Sequence, residues 1–309
     1  MDSTRKILRN LGLPDRDRYA LPDSSKRFPD GAQYRFEIPS VEGPRCLKAV
    51  IEEAQKYRLT IHRVSQGSGI MLMTDEEIRE MLGIAKDQQM EVSLFVGPRA
   101  TWDIGAQPLT PAGKNIGLGL RGMDQVVYAI EDVKRGCELG LRSILVADLG
   151  LLWVLNEMKK AGQLPANLVM KISVQLSATN PVAVRILEDF GAGTFNVSSD
   201  LPLPLLASIR EAVSIPLDFY VETPDNFGGF VRHFEVPEFI RVLCPLYVKL
   251  GLRNAPDIYP SGTHIESTAI ALTRERVRRA KIVSDLIQRY CPEAIMSKPG
   301  AKDLGLPDV

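Results

Sequence analysis

The stretch KISVQLSATN, residues 171–180, alternates apolar and polar side chains, and this alternation decides the fold. Every second residue from Ile172 to Leu176 is apolar, whereas every second residue from Lys171 to Gln175 is polar. Such a period of two predicts a β-strand with one apolar face and one polar face. The fold therefore depends on which face points inward.

The chain around this stretch repeats a strand-like run followed by an amphipathic helix-like run. Eight such units in about 260 residues match the size of a (β/α)₈ TIM barrel, spanning 32–291 between an N-terminal arm (1–31) and a C-terminal tail (292–309). A doubly wound open sheet is the rival, but no GxGxxG motif follows the first strand. The predicted strands are 33–40, 59–67, 91–98, 143–150, 168–177, 193–199, 216–223 and 246–252.

Closure into a barrel orients the polar face of each strand. The apolar face must pack under the helices, so polar residues such as Lys171 point into the lumen. Buried charges are costly unless they pair with one another. We therefore expect the deepest of them, Arg35, Lys171 and Asp218, to form an ion-pair network through the barrel.

Composition excludes several classes of function. Lys plus Arg and Asp plus Glu both number 38 among 309 residues, so no net charge attracts the protein to nucleic acid or to anionic lipid. No signal peptide and no apolar run of transmembrane length is present, which favours the cytoplasm. The four cysteines, Cys46, Cys137, Cys244 and Cys291, lack zinc-site spacing and are expected to be free thiols.

Candidate functional residues lie where the predicted strands end, because active sites of this fold occupy that end of the barrel. Three residues are the catalytic candidates. Glu222 would act as a base, Lys249 as a base or a Schiff-base nucleophile, and His62 as a base or a metal ligand. The same reasoning assigns a divalent metal, if one is bound, to Glu37, His62 and Glu222. The candidates for substrate binding are Glu37, Arg99, Asp148, Gln175, Arg253 and His264.

Two motifs stand out in the region 140–215: Asp148, Leu149 and Gly150 at one strand end, then Ser173, Gln175, Leu176, Ser177, Thr179 and Asn180 along the next strand. With these residues the region resembles the collagenase-like peptidases of family U32, which have a V-x-D-L-G strand end and an S-x-Q-L-S-x-T-N strand. That family usually carries cysteines after the seventh strand, which in some members hold an iron–sulfur cluster. This chain has YVETPDNFGGFVRHFE (220–235) there, without cysteine, so no iron–sulfur cluster is expected.

The resemblance implies hydrolysis of an amide or related bond, on a small polar substrate that we expect to carry a carboxylate. A lyase or aldolase that uses a lumen lysine is the enzymatic alternative, and a barrel that binds partner proteins is the non-enzymatic one. The long segment 98–122, with Trp102, predicts a lid. The arm and the tail predict contacts with a neighbouring subunit, and therefore a homo-oligomer.

Overall fold

The computed structural model describes residues 2–15, 21–99 and 119–309. Eight parallel strands pair in chain order, and the eighth pairs with the first, so the sheet is a closed barrel. The predicted (β/α)₈ fold is confirmed. The strands are β1 (Tyr34–Pro39), β2 (Arg63–Gln66), β3 (Glu91–Phe95), β4 (Ser143–Val146), β5 (Val169–Ile172), β6 (Thr194–Asn196), β7 (Leu217–Glu222) and β8 (Leu246–Leu250).

The helices follow the strands and cover the barrel. Two of them begin with capping residues of the kind that sequence alone can identify: Thr74 and Glu77 form a reciprocal capping box at α3, and the Asn180 side chain accepts from the Ala183 N–H at α6. The helices are α1 (Asp2–Asn10), α2 (Pro44–Tyr57), α3 (Asp75–Asp87), α4 (Gly122–Glu138), α5 (Leu149–Lys160), α6 (Pro181–Asp189), α7 (Leu203–Ala212), α8 (Val236–Leu243) and α9 (Glu266–Tyr290).

The two faces of the strands are divided as the alternation predicts. Outward residues such as Phe36, Ile172 and Val248 are fully buried against the helix layer, each contributing about 1.5–3 kcal/mol relative to an exposed side chain. Most inward residues, such as Lys171, are polar or charged, whereas Phe95 and Leu145 are apolar ones. This division explains why a strand with a polar face is stable at the centre of the molecule.

The quoted stretch departs from the prediction at its second half. β5 ends at Ile172, and Val174–Leu176 form a short 3₁₀ helix. The Gln175 N–H at the start of this helix donates to the Ser173 hydroxyl. The expected strand through residue 177 is therefore too long. The chain turns outward early and brings residues 174–177 to the rim of the barrel.

The arm and the tail close the amino-terminal end of this chain's own barrel. In the arm, Phe28 packs edge-on against Tyr247, with 5.4 Å between ring centroids. In the tail, Asp303 forms a bidentate ion pair with Arg35 at the bottom of the lumen. Both segments thus fill apolar and charged positions of their own chain, and the expected contact with a neighbouring subunit stays a prediction.

Among the described residues, no helix combines the length and the apolar character that crossing a membrane requires. The four cysteines are free thiols, as expected, and three of them are buried.

Candidate functional site

A cavity of about 810 Å³ opens at the carboxyl ends of β4 to β7. This is the end of the barrel where enzymes of this architecture hold their substrates. Its wall is made of the segments that follow each of these strands, and the last inward residue of β7 forms its floor. The polar side chains that line it are Asp148, Gln175, Ser177, Ser198, Ser199, Asp200, Tyr220 and Asn226.

Asp148 lies where β4 passes into α5. Its carboxylate accepts from the backbone N–H of Leu151 at 2.8 Å and from that of Leu120 at 2.9 Å. It therefore caps α5 and fixes the chain just before α4. Both partners are neutral, so its negative charge remains at the cavity wall.

Gln175 reaches the cavity because β5 ends early and turns into the 3₁₀ helix. Its Oε1 atom is buried and has no hydrogen-bond partner among the described residues. A buried acceptor without a partner costs about 1–3 kcal/mol, which a bound ligand or water offsets.

The segment after β6 contributes Ser199 and Asp200. Ser199 is 4% exposed, and its hydroxyl also lacks a hydrogen-bond partner within the described part of the chain. Asp200 is exposed at the rim. Two polar groups, one buried and one open, thus line the same side of the cavity.

Tyr220 forms the floor. It is 8% exposed, and no hydrogen bond of its hydroxyl is found among the described residues. Burial raises the pKa of Tyr220 above its ordinary value, so the phenol stays protonated and can donate. The Nζ of Lys249 lies 4.1 Å from the centroid of the Tyr220 ring, within the range of a cation–π contact.

Below Tyr220, the lumen contains a closed ion-pair network. Lys171 Nζ lies 2.6 Å from both Glu37 and Asp218, and Arg63 Nη2 lies 2.6 Å from Asp218. Burial alone would raise the pKa of Glu37, but the adjacent cations hold it well below its ordinary value. The predicted network through Lys171 and Asp218 is confirmed, and Glu37 is its central carboxylate.

Lys249 is the uppermost cation of this network. Its Nζ donates to Asn196 Oδ1 and lies 3.3 Å from Glu37 Oε1. The side chain is 3% exposed, so the Tyr220 ring separates it from the cavity. Lys249 therefore lies close to the cavity, and Glu37 lies beneath Lys249.

Glu222 does not face the lumen, contrary to the alternation. The pairing of β7 with β8 shifts between Tyr220 and Glu222, and this β-bulge turns the carboxylate toward the helix layer. There its Oε2 lies 3.1 Å from His233 Nε2 and 3.7 Å from Arg279 Nε, while Oε1 accepts from the Arg253 N–H. The expectation that Glu222 is at the mouth beside Lys249 is therefore wrong.

His62 is also placed differently from the prediction. It precedes β2, whose inward residues are Arg63 and Ser65, and it lies at the amino-terminal end of the barrel. Its Nε2 is 2.9 Å from the carbonyl oxygen of Ser297 in the tail. His62 is thus remote from the cavity, because β2 begins at Arg63 rather than at residue 59 and its inward residues are Arg63 and Ser65.

The three metal-ligand candidates consequently have different surroundings: Glu37 is paired in the lumen, His62 binds the tail at the amino-terminal end, and Glu222 faces His233 and Arg279. Within residues 2–15, 21–99 and 119–309, no group of three His, Cys, Asp or Glu side chains is arranged to hold a metal ion. The proposed ligand set of these three residues is therefore wrong.

The remaining substrate-binding candidates lie outside the cavity lining. The Arg99 guanidinium stacks on Phe95, 4.2 Å from its ring centroid, and donates to the Gly67 carbonyl. The Arg253 side chain is 58% exposed and lies 3.6 Å from Asp225, and His264 is exposed before α9. Of the expected substrate-binding residues, the structure brings Asp148 and Gln175 together in the cavity.

The charge of the cavity is opposite to that expected for a carboxylate-bearing substrate. Asp148 and Asp200 line it, whereas no lysine or arginine side chain of the described residues does. The expected lid, 98–122, falls mostly on 100–118, which lies outside the described residues together with Trp102.

Sequence reasoning missed Ser199, Asp200 and the role of Tyr220. A signal for the first two was present, because the polar run SSD (198–200) directly follows the strand TFN (194–196). The alternation along β7 gives Tyr220 an inward position, but the sequence favours Glu222, two residues later, as the catalytic candidate because Glu222 ends the alternation.

Comparison with solved structures shows the fold. A putative fructose-1,6-bisphosphate aldolase from Coccidioides immitis has a TM-score of 0.51 at 13% identity, covering 83% of this chain and 92% of that one. The U32 peptidase Mk0906 has a TM-score of 0.42 at 19% identity, covering 67% of this chain and 74% of that one. A 2,3-dimethylmalate lyase has a TM-score of 0.44 at 10% identity, covering 91% and 87%.

No protein-family model matches the sequence, and no curated protein matches it. At 13% identity the likeness to the aldolase structure shows the barrel fold alone, and function has to be argued from the site itself.

Proposed function

We propose that this protein is a TIM-barrel enzyme that acts on a small polar molecule held in the cavity over β4 to β7. The observation that carries the proposal is Tyr220, which lines that cavity and whose hydroxyl has no hydrogen bond to any described residue. A neutral phenol at that position donates a hydrogen bond to a substrate oxygen and stabilises negative charge that develops there. The wall carboxylates, Asp148 and Asp200, supply acceptors and a base.

Hydrolysis of an amide or related bond fits this arrangement, since the carbonyl oxygen gains negative charge when water attacks. Tyr220 then stabilises that oxygen, and a carboxylate at the wall takes the proton of the attacking water. The sequence resemblance to family U32 over 140–215 supports this reaction class, because that region supplies Asp148, Gln175 and Ser177.

Exchange of Tyr220 for phenylalanine tests the proposal. Tyr220→Phe keeps the ring that covers Lys249 and removes only the hydroxyl, so the melting temperature should be unchanged. Ligands found by thermal-shift screening of small polar metabolites should bind roughly 5- to 10-fold more weakly, and turnover of an identified substrate should fall roughly 10²-fold.

The matched control is Tyr290→Phe, which removes an exposed phenol at the end of α9, outside the cavity lining. It should bind and turn over as wild type does. A Tyr220→Phe protein with unchanged affinity and turnover would contradict the proposal.

A lyase that forms a Schiff base is the second candidate. The contact between Lys249 Nζ and the Tyr220 ring favours it, because the amine lies directly under the cavity floor. Incubation with small aldehydes and ketones and then borohydride would leave a reduced adduct on Lys249, detectable by peptide mass spectrometry. Absence of that adduct, with release of amine from an amide substrate, would favour hydrolysis.

A further inference from the structure

The cavity combines carboxylates with aromatic rings. Asp148 and Asp200 lie on its wall, Tyr220 is its floor, and Phe227 and Phe230 border its opening from the segment after β7. Both phenylalanine rings are more than one-third exposed, so they present apolar faces to a ligand at the entrance. Carboxylates beside aromatic faces are the environment that proteins use to hold organic cations.

The hydrogen-bonding capacity of the wall points the same way. Ser199 Oγ and Gln175 Oε1 are buried there without a partner among the described residues. The carboxylate of Asp200 has no hydrogen bond or ion pair in the described part of the chain. Gln175 Oε1 and the carboxylate oxygens are acceptors only and the Ser199 hydroxyl can also accept, so an ammonium group, which has three donors and no acceptor, satisfies them.

Two described cations near the cavity are paired with carboxylates other than Asp148 and Asp200. Arg232 donates to the Ser199 carbonyl from behind the wall, but its guanidinium forms a bidentate ion pair with Glu235. Lys249 lies beneath the Tyr220 ring and is paired with Glu37. The carboxylates at the wall are thus available to a charged ligand.

We infer that the substrate class of this cavity is a small organic amine, bound through its ammonium group by Asp200 and Asp148 beside the aromatic rim. The inference rests on the proposed function, because it names what the same cavity takes. The ammonium group lies at the wall between β4 and β6, which leaves the oxygen-bearing part of the molecule at the Tyr220 hydroxyl.

Three probes of equal chain length and different charge test the inference: cadaverine, 1,5-pentanediol and glutarate. Each has five carbons and two polar ends, and the ends are ammonium, hydroxyl or carboxylate. Binding to the full chain is measured by isothermal titration calorimetry and saturation-transfer NMR. Cadaverine should bind saturably and more weakly as salt is raised, at least 10-fold more tightly than either other probe.

Asp200→Asn should weaken cadaverine binding roughly 3- to 5-fold without changing the melting temperature, since this side chain is exposed. Asp87→Asn removes the same charge from an exposed position at the end of α3 and should leave the affinity unchanged. Tighter binding of glutarate or of the diol than of cadaverine would overturn the inference, and so would equal effects of the two aspartate variants.

The outcomes also separate this inference from the proposed function. If glutarate or the diol binds and Tyr220→Phe weakens that binding, the cavity is a ligand site and only the amine assignment fails. If none of the three probes binds at concentrations up to about 50 mM, the amine assignment fails, and the Tyr220→Phe comparison in the metabolite screen decides the proposed function separately.

Discussion

Protonation of His62 should destabilise the folded protein in mild acid. His62 is 1% exposed, and its Nδ1 accepts the Phe36 N–H at 3.2 Å while Nε2 donates to the Ser297 carbonyl. Only the neutral ring with its proton on Nε2 makes both bonds. Burial, assisted by the charge of Arg35, lowers the pKa of His62 to about 4.

The size of the effect follows from linkage. Above pH 6.5 the ring is neutral in both the folded and the unfolded chain, and the stability that this contributes is fully present. As the pH falls from 6.5 towards 4, His62 takes up a proton in the unfolded chain but stays neutral in the folded protein. The free energy of unfolding should fall by about 2 kcal/mol by pH 5 and by about 3 kcal/mol in total.

The assay is urea unfolding followed by circular dichroism, at pH 7.5 and at pH 5, for wild type and for His62→Gln. Glutamine keeps a donor for Ser297 but cannot be protonated, so the variant should be less stable at pH 7.5 and lose about 2 kcal/mol less than wild type on acidification. Carboxylates that titrate in this range act equally in both proteins and cancel. Identical losses in the two proteins would refute the reasoning.

Two further predictions concern the buried carboxylates. Glu37→Gln removes the negative charge that pairs with the surrounding cations, of which Lys171 is one, so the free energy of unfolding should fall by about 3–5 kcal/mol. A thermal melt like that of wild type would contradict this. Glu222→Gln should lower the free energy of unfolding by about 1–3 kcal/mol, because the carboxylate holds His233 and lies near Arg279. The folded fraction of the Glu222→Gln variant should bind ligands as wild type does. A loss of binding at unchanged melting temperature would instead indicate that Glu222 contributes to the functional site.

Most of the fold could be predicted from the sequence because it depends on a period that repeats along the chain. The alternation around Lys171 fixes the inward face of β5, and closure of eight such units follows from their number and length. The capping residues Thr74 and Asn180 could be identified as well, since a helix start depends on a few neighbouring residues.

The site was less predictable because it depends on irregularities of single residues. β5 ends at Ile172, since the Ser173 hydroxyl accepts from the Gln175 N–H and begins a 3₁₀ turn. β2 begins at Arg63, which leaves His62 outside the strand. The alternation orients a side chain only within the strand, and periodicity alone does not show where a strand begins or ends.

The bulge in β7 has the largest consequence for function. It makes Tyr220 the last inward residue of that strand, so a neutral aromatic ring covers the charged lumen. Glu37, Lys171 and Asp218 beneath it are fully buried and paired with one another, and they therefore stabilise the barrel. Because the Tyr220 ring covers these charged strand residues, the groups that act at the mouth of the barrel are Tyr220 and the side chains of the segments that follow the strands. The polar residues after β4, β5 and β6 are accordingly the ones to exchange first when a substrate is sought.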